Sequence, residues 1–298
     1  MPVRLCHPRL VAELRVVAHV AELPAAAWDA CAHAPHEAPA WYRACEAAWP
    51  DLHFRYLAQY EGDKLTAVLP LHAPAGRHGL HPMRVYDARL SKWARLFLRC
   101  AATGSPLTLS GRPVGRPADP AALWTAAADT ALALGCDTLL APFLSQPDGS
   151  PGLQIRPALP EFELVLPGTS FEDYLASFKS RRRWNLRHEM QAVAHLQFSV
   201  QPLAGCEAEM ARMHGLNRAR YRLQDAREDR FYKALTQEFG PDAQVVLARD
   251  RGRIIGMALL LRRRDSLYVL HTGSEARDLT YFSLVFYEPI RWAYAQGL

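Results

Sequence analysis

Two stretches of the chain place apolar runs on either side of a short polar turn. LAQYEGDKLTAVLPL covers residues 57–71, and LARDRGRIIGMALLL covers residues 247–261. Each pattern is typical of a β-hairpin that turns at a glycine. A superposition without gaps pairs Leu57 with Leu247, Ala58 with Ala248, Gly62 with Gly252, Leu65 with Ile255, Leu69 with Leu259 and Leu71 with Leu261. The pattern predicts two copies of one hairpin.

Helical periodicity surrounds both hairpins. PAWYRACEAAW precedes the first, and FYKALTQEF precedes the second, where Phe231, Leu235 and Phe239 recur every four residues. After a further strand, each hairpin is followed by a helix that ends in a glycine, at Gly135 and at Gly297, as helices commonly do. The pattern therefore predicts an internal repeat of one α/β unit.

Proline and glycine indicate where the two copies join. SQPDGSPGLQIRPALP, residues 145–160, is rich in turn-forming residues, whereas the similar run SGRPVGRPADP fits a loop inside the first copy. We therefore predict an α/β fold with an N-terminal domain over residues 1–155 and a C-terminal domain over residues 156–298.

Composition limits the classes of protein that fit. The 298 residues carry a formal net charge of only +5, with 50% hydrophobic and 22% charged residues, so the chain can bury a sizeable core. No apolar run approaches the roughly 20 residues that span a bilayer, and the first ten residues are too polar for a signal peptide. We predict a cytoplasmic protein without a membrane span.

Several common site motifs are missing from the sequence. The six cysteines are widely separated, and His188 and His195 are seven residues apart rather than the four that suit a shared zinc ion, so we predict no metal site. Glycine-rich phosphate loops are absent, and LTLSG lacks the glycine that precedes the serine of a nucleophile elbow. Serine hydrolysis and nucleotide binding by such loops are disfavoured.

The basic residues concentrate in one segment, FKSRRRWNLRHEM, residues 178–190. Helical periodicity extends from Phe171 to Val193 and places Arg182 in the apolar stripe, four residues from both Phe178 and Leu186. A guanidinium on an inward face requires an anionic partner or a wet cleft. The cluster, which includes Arg183 and Arg187 on the neighbouring face, could therefore hold a phosphate.

Two alternatives remain open for this segment. It could be a solvated face with a helix break near Ser180 that removes the inward arginine. It could also bind nucleic-acid backbones, although the modest net charge and the interruptions at Glu172 and Glu189 argue against this.

SRRRWNLRHEM resembles the S-[KR]-R-[KR]-x-N-[IL]-R-x-E signature of the FemAB-like acyltransferases, a branch of the GNAT superfamily. The matching residues are Ser180, Arg181, Arg182, Arg183, Asn185, Leu186, Arg187 and Glu189. The final helix is similar to the family's I-x-[WY]-A-x-x-x-G-L ending at Ile290, Trp292, Ala293, Gly297 and Leu298. The resemblance covers most of the second half of the chain and the first half only in outline.

The resemblance implies two tandem GNAT-like domains, each a twisted mixed sheet flanked by helices. It also implies an N-acyltransferase, in which an amine attacks an activated acyl or aminoacyl group directly. Donor- or substrate-binding residues would then include Arg181, Arg182, Arg183, Asn185 and Arg187. No cofactor would be bound permanently, because the acyl donor is a cosubstrate.

The strand end YVLHTGSE, residues 268–275, carries two groups able to accept a proton from an ammonium, His271 and Glu275. They are the predicted catalytic residues. The alternative is a hydrogen-bonded histidine at a strand end and a surface carboxylate.

Where an acetyl-CoA enzyme of this superfamily has a glycine-rich pyrophosphate loop, the chain has ARDLTYFSL. Arg277 and the amides near Thr280 could hold one phosphate group, but backbone cannot approach a pyrophosphate as closely without glycine. Beside acyl-CoA, the donor could then be aminoacyl-tRNA, as the FemAB-like resemblance implies, or an acyl chain on a carrier protein. Tyr281 and Tyr287, with Phe282, are predicted to line the acyl or acceptor pocket, with core packing as the alternative for Phe282 and Phe286.

Three classes of function remain: the acyltransferase, a non-catalytic module that binds RNA, carrier protein or another anionic ligand such as a phospholipid, and an inactive scaffold.

The end of the second copy leads to one structural expectation. In the first copy, the strand CDTLLAP follows the helix that ends at Gly135, whereas the second copy stops at Leu298. We expect an open sheet edge along Tyr268–Leu270, filled by LRVVAHVAEL (residues 14–23), by a missing tail or by a partner subunit in a homo-oligomer.

Overall fold

The computed structural model of the chain describes residues 12–75, 99–107, 110–142, 163–220, 228–275 and 279–298. The chain divides into two compact units, residues 1–159 and 160–298. Each unit contains its own sheet with flanking helices, so the predicted α/β class is confirmed. The predicted join at residues 145–160 lies outside the described residues.

The first unit is built on a mixed sheet. Its strands are β1 (Glu13–Val17), β2 (Leu52–Glu61), β3 (Lys64–Pro74), β4 (Cys100–Thr103), β5 (Val114–Gly115) and β6 (Thr138–Leu140). Its helices are α1 (Ala25–Cys31), α2 (Pro39–Ala48) and α3 (Pro120–Ala133). The sheet order is β1-β2-β3-β4-β6 with β5 paired to β3, and among the described strands only β4 and β6 pair in parallel.

The core of the first unit lies between α3 and the hairpin of β2 and β3. Leu123 and Ala127 of α3 pack with Leu57, Leu69 and Leu71, all of them fully buried. Strand β1 pairs antiparallel with β2, and its Leu14 packs against the same cluster. The expectation that residues 14–23 fill an edge of the second sheet is therefore wrong, because this segment completes the first.

The second unit is built on an antiparallel sheet. Its strands are β7 (Gln197–Pro202), β8 (Ala243–Asp250), β9 (Arg253–Arg263) and β10 (Ser266–Ser274), in the order β10-β9-β8-β7. Its helices are α4 (Phe171–Ala176), α5 (Ser180–Ala192), α6 (Glu207–Arg220), α7 (Glu228–Phe239), α8 (Thr280–Phe282) and α9 (Glu288–Ala295). A π-helical segment, Ser283–Tyr287, joins α8 to α9. The predicted mixed pairing is thus absent from this sheet within the described residues.

Both predicted hairpins form, but their turn glycines are not equivalent. Gly62, with φ +60°, is the first of the two turn residues between Glu61 and Lys64. In the second hairpin the turn is Arg251–Gly252, and both residues have positive φ, 49° and 82°. The superposition without gaps is therefore wrong at the turn, since the two turns place positive φ differently.

The single helix predicted from Phe171 to Val193 is broken. Helix α4 ends when Ser177 donates its N–H to Asp173, and Lys179 is extended, with ψ 150°, before α5 begins. The break near Ser180, which the sequence left as an alternative, is present.

Helix α6 lies directly against β10 at Gly273. A Cβ atom built on Gly273 would stand 1.9 Å from the carbonyl oxygen of Met213 and 2.8 Å from the amide nitrogen of His214. Only a residue without a side chain permits backbone to approach this closely. The contact fixes the position of α6 along the strand.

Replacing Gly273 with alanine should destabilise the second unit by about 1–3 kcal/mol or more, because backbone must move to admit the methyl group. Urea unfolding would measure the change. Gly215→Ala is the matched control, since Gly215 lies in α6 with nothing within 4 Å of its added Cβ. That control should stabilise the protein by about 0.5–1 kcal/mol. Equal stability of the two variants would contradict the close approach.

Candidate active site

The end of β10 departs from regular pairing at the predicted catalytic histidine. The register between β10 and β9 shifts between Val269 and Thr272, so His271 lies within a β-bulge. Bulges are frequent beside active sites because they re-aim a side chain. His271 is 8% exposed.

A tyrosine hydroxyl joins His271 to a second histidine. The Tyr232 oxygen lies 2.9 Å from Nδ1 of His271 and 2.9 Å from Nδ1 of His214. The two imidazole rings stack 4.4 Å apart at an angle of 8°. We call these three side chains the His–Tyr–His cluster.

Each member of this cluster comes from a different element. His214 lies on the buried face of α6 with Met210 and Met213, while Tyr232 lies on α7 and is fully buried. Phe231 beside it packs its ring 6.1 Å from that of His271. The cluster therefore joins α6, α7 and β10 inside the second unit.

Helix α6 also covers the outer edge of β10. Glu275 donates its backbone N–H to the carbonyl of Ile255 in β9. Because successive residues of an antiparallel strand point their N–H and C=O groups alternately toward and away from the partner strand, those of Ser274 point away from β9. Asn217 Nδ2 donates to the Thr272 carbonyl at 3.1 Å, and Arg220 Nη2 donates to the Ser274 carbonyl at 2.5 Å. Side chains of α6 thus satisfy carbonyls that another strand would otherwise meet.

The second predicted base, Glu275, is held by arginines. Its carboxylate accepts from Arg212 at 3.0 Å and pairs with Arg253 at 2.8 Å. The hydrogen bond to Glu209, followed by that to Glu275, raises the pKa of Arg212 further above its ordinary value. A cleft of about 490 Å³ adjoins this network and is lined by Arg212, Leu216, Ala219, Arg220 and Glu275. The oxygens of Glu275 are already engaged as acceptors.

The arginine-rich helix α5 points most of its charge outward. Arg181, Arg182 and Arg187 are exposed, whereas Arg183 and Asn185 are partly exposed. The Arg182 side chain is 57% exposed and lies 3.7 Å from Glu189, so the prediction that it faces inward is wrong. The break before Ser180 separates α5 from the stripe of α4, and the inward residue of α5 is Leu186.

Arg187 and Glu189 of α5 contact neighbouring helices. Arg187 Nη2 donates to Glu172 of α4 at 2.8 Å. The Tyr287 hydroxyl donates to Glu189, and burial, followed by this bond, raises the pKa of Tyr287 well above its ordinary value. Tyr287 packs with Leu186 in a buried cluster. Glu189 therefore links α5 to the π-helical segment.

The predicted tyrosines lie in different environments. Tyr287 is buried, whereas Tyr281 is 46% exposed and contacts Phe282, which stacks on Phe286. Phe282 and Phe286 are also exposed, so core packing does not describe them. Arg277 lies outside the described residues.

Sequence reasoning missed His214, Tyr232, Asn217, Arg212 and Arg220. A signal for two of them was present, because His214 and Asn217 fall at helical spacing from Met210 and Met213, as polar positions within an apolar stripe. No local pattern distinguished Tyr232 from the apolar residues around it.

The structure defines a mixed α/β protein with two sheet-bearing units, the second of which contains the His–Tyr–His cluster. Residues 166–298 match the model of the FemAB-like family, described as peptidoglycan biosynthesis/recognition. This match covers α5, the His–Tyr–His cluster and the final helices, and it suggests a role connected with peptidoglycan biosynthesis. A search of the curated proteins finds none that matches the chain.

Membrane-spanning helices and metal-binding groups can be assessed only for the residues that the structure describes. None of the helices there is long and apolar enough to cross a membrane. No group of three or more histidine, cysteine, aspartate or glutamate side chains is arranged to hold a metal ion in that part of the chain.

Replacing Tyr287 with phenylalanine should reduce the free energy of unfolding by about 1.5–3 kcal/mol, because the hydroxyl donates to a charged acceptor, Glu189. Tyr281→Phe, which changes an exposed ring of the same helical region, should shift stability by less than about 0.5 kcal/mol. Urea unfolding of both variants checks the difference. A neutral Tyr287→Phe variant would show that the bond to Glu189 does not hold α5 in place.

Proposed function

We propose that this protein is an N-acyltransferase that moves an activated acyl or aminoacyl group onto an amine. The observation that carries the proposal is the placement of His271 in the bulge of β10, bonded to Tyr232, within the unit that matches the FemAB-like model. A buried, oriented imidazole at a strand end suits proton removal from an ammonium group.

The reaction proceeds by direct attack in this proposal. The ammonium gives one proton to His271, and the neutral amine nitrogen then attacks the acyl carbon. The bond from that carbon to the leaving group breaks, and the leaving group keeps the electron pair. The leaving group also takes up the second proton, which the nitrogen loses as the amide forms. N–H groups on the outer edge of β10, such as that of Ser274, are candidates to stabilise the negative charge on the acyl oxygen.

Geometry favours His271 over Glu275 as the base. Glu275 accepts from two guanidinium groups, Arg212 and Arg253, and a proton on its carboxyl would weaken both contacts. We therefore assign Glu275 to the organisation of the cleft beside α6.

The donor in this proposal is an anionic cosubstrate, and no cofactor is permanently bound. Exposed arginines on α5 suit the phosphate groups of acyl-CoA, a carrier protein or aminoacyl-tRNA. The proposed donor contacts also include Arg183, Asn185 and Arg277. The exposed Tyr281 is a proposed contact of the acyl group or of the acceptor. The proposal also includes a cytoplasmic location and a homo-oligomer formed along β10.

One observation favours a second candidate, a non-catalytic module that binds RNA or another anionic ligand. The Trp184 ring is 65% exposed and stacks on His188, 5.3 Å apart and 4° from parallel, between arginines of α5. Exposed aromatic rings in a basic surface bind single-stranded nucleic acids by stacking.

A donor survey tests the enzyme directly. The protein is incubated with acyl-CoAs, acylated carrier protein and aminoacyl-tRNA in the presence of amines, and transfer is read by mass spectrometry. We expect amine-dependent consumption of one donor class, and a loss of roughly 10²–10⁴-fold in turnover for His271→Asn, since general base catalysis contributes about this much. Full turnover by that variant would reject His271 as the base. Salt-sensitive retention of RNA without any product would favour the binding module.

Replacing Arg182 and Arg187 together with alanine should weaken donor binding by about 1–3 kcal/mol for each charge-assisted hydrogen bond to the donor that is removed. Folding stability should change little, because both arginines form exposed ion pairs. Isothermal calorimetry with the donor found in the survey measures the change in affinity. Arg15→Ala combined with Arg116→Ala, which removes two exposed arginines of the first unit, is the charge-matched control. Wild-type affinity in the double variant would identify α5 as a solvated face.

A further inference from the structure

We propose that Tyr232 and His214 are positioning residues that hold His271 with its proton on Nδ1 and its lone pair on Nε2. This inference rests on the proposed function, in which His271 accepts a proton from the amine. The three side chains then form one directed chain of hydrogen bonds, from His271 Nδ1–H to the Tyr232 oxygen and from the Tyr232 O–H to His214 Nδ1.

A tyrosine hydroxyl has a single proton to donate. Tyr232 contacts the Nδ1 atoms of both histidines at 2.9 Å, and it can donate to only one of them. Where it does not donate, the contact is a hydrogen bond only if Nδ1 carries the proton. At least one of the two imidazoles therefore has Nδ1 protonated, and in its neutral form that ring carries the lone pair on Nε2.

Position on the fold selects His271 as that ring. His271 belongs to the bulge, where β10 leaves its regular pairing with β9, and bulges commonly re-aim a side chain. His214 instead projects from the buried face of α6, held where the helix backbone meets Gly273. In the proposal, His214 is therefore the terminal acceptor and His271 the proton acceptor toward substrate.

This arrangement needs no reorganisation when the proton arrives. A proton taken up on Nε2 of His271 leaves its Nδ1–H directed at the Tyr232 oxygen, so the imidazolium keeps its hydrogen bond. The hydrogen bond between His271 and Tyr232 is thus the same before and after the proton is taken up.

A purely structural role for the cluster makes a different prediction. If Tyr232 only joins α6, α7 and β10, its hydroxyl would contribute to stability without affecting turnover by the folded protein. The kcat of Tyr232→Phe distinguishes the two roles, whereas the tautomer of His271 tests the assignment of the proton.

Nitrogen-15 NMR of the wild-type protein, with signals assigned by their disappearance in His214→Asn and His271→Asn, reads both tautomers. We expect His271 to be protonated on Nδ1 and His214 on Nε2. In Tyr232→Phe, His271 should shift toward the Nε2-protonated form. Tyr294→Phe is the control, since it removes a hydroxyl that donates to the Pro167 carbonyl at 2.6 Å, and both tautomers should stay unchanged.

An Nε2-protonated His271 in the wild-type protein would overturn the proposal, and that measurement needs no variant to fold. The proposal would also be overturned if His271 kept its wild-type tautomer in the folded Tyr232→Phe variant. With the donor found in the survey, Tyr232→Phe should lower kcat roughly tenfold or more at an unchanged KM. The expected tautomers without turnover of any donor would uphold the proton assignment and reject acyl transfer, so the two failures are distinguishable.

Discussion

The contact between helix α6 and strand β10 at Gly273 is the constraint on which the second unit depends. Because the added Cβ of any other residue would meet the Met213 carbonyl at 1.9 Å, backbone lies against backbone at this point. That distance brings His214 into ring contact with His271. It also lets Asn217 and Arg220 reach the carbonyls of Thr272 and Ser274. A wider separation would break all of these contacts together.

The same helix changes the character of the sheet edge. Within the described residues β10 pairs only with β9, and an unpaired strand edge invites association with another chain. Side-chain donors from α6 occupy part of that edge, and the ion pairs of Glu275 with Arg212 and Arg253 place charge at its end. Charge and side-chain hydrogen bonds at an edge oppose unselective strand pairing, while the bulge opens the strand at His271.

The two faces of helix α5 differ in what they contact: one attaches the helix to the core, and the other carries arginines toward solvent. Leu186 and Glu189 attach the helix to the core, the first by burial beside Tyr287 and the second by accepting the Tyr287 hydroxyl. The arginines on the other face are held out toward solvent, with Arg187 paired to Glu172 across the break. The glutamate of the arginine-rich segment therefore supports the helix, and most of its arginines face solvent.

The sequence by itself determined the features that depend on neighbouring residues. Alternation and turn residues specified both hairpins, helical spacing specified most of α5, and the strand that carries His271 followed from its apolar run. It did not determine the break at residues 177–179, the direction of Arg182, or the turn positions of Gly62 and Gly252. Nor did it reveal the His–Tyr–His cluster, whose hydrogen bonds join residues 18 and 39 positions apart. Only tertiary packing decided these, because helical or strand periodicity reports which face is apolar, whereas a partner across the core is chosen by how closely two elements approach.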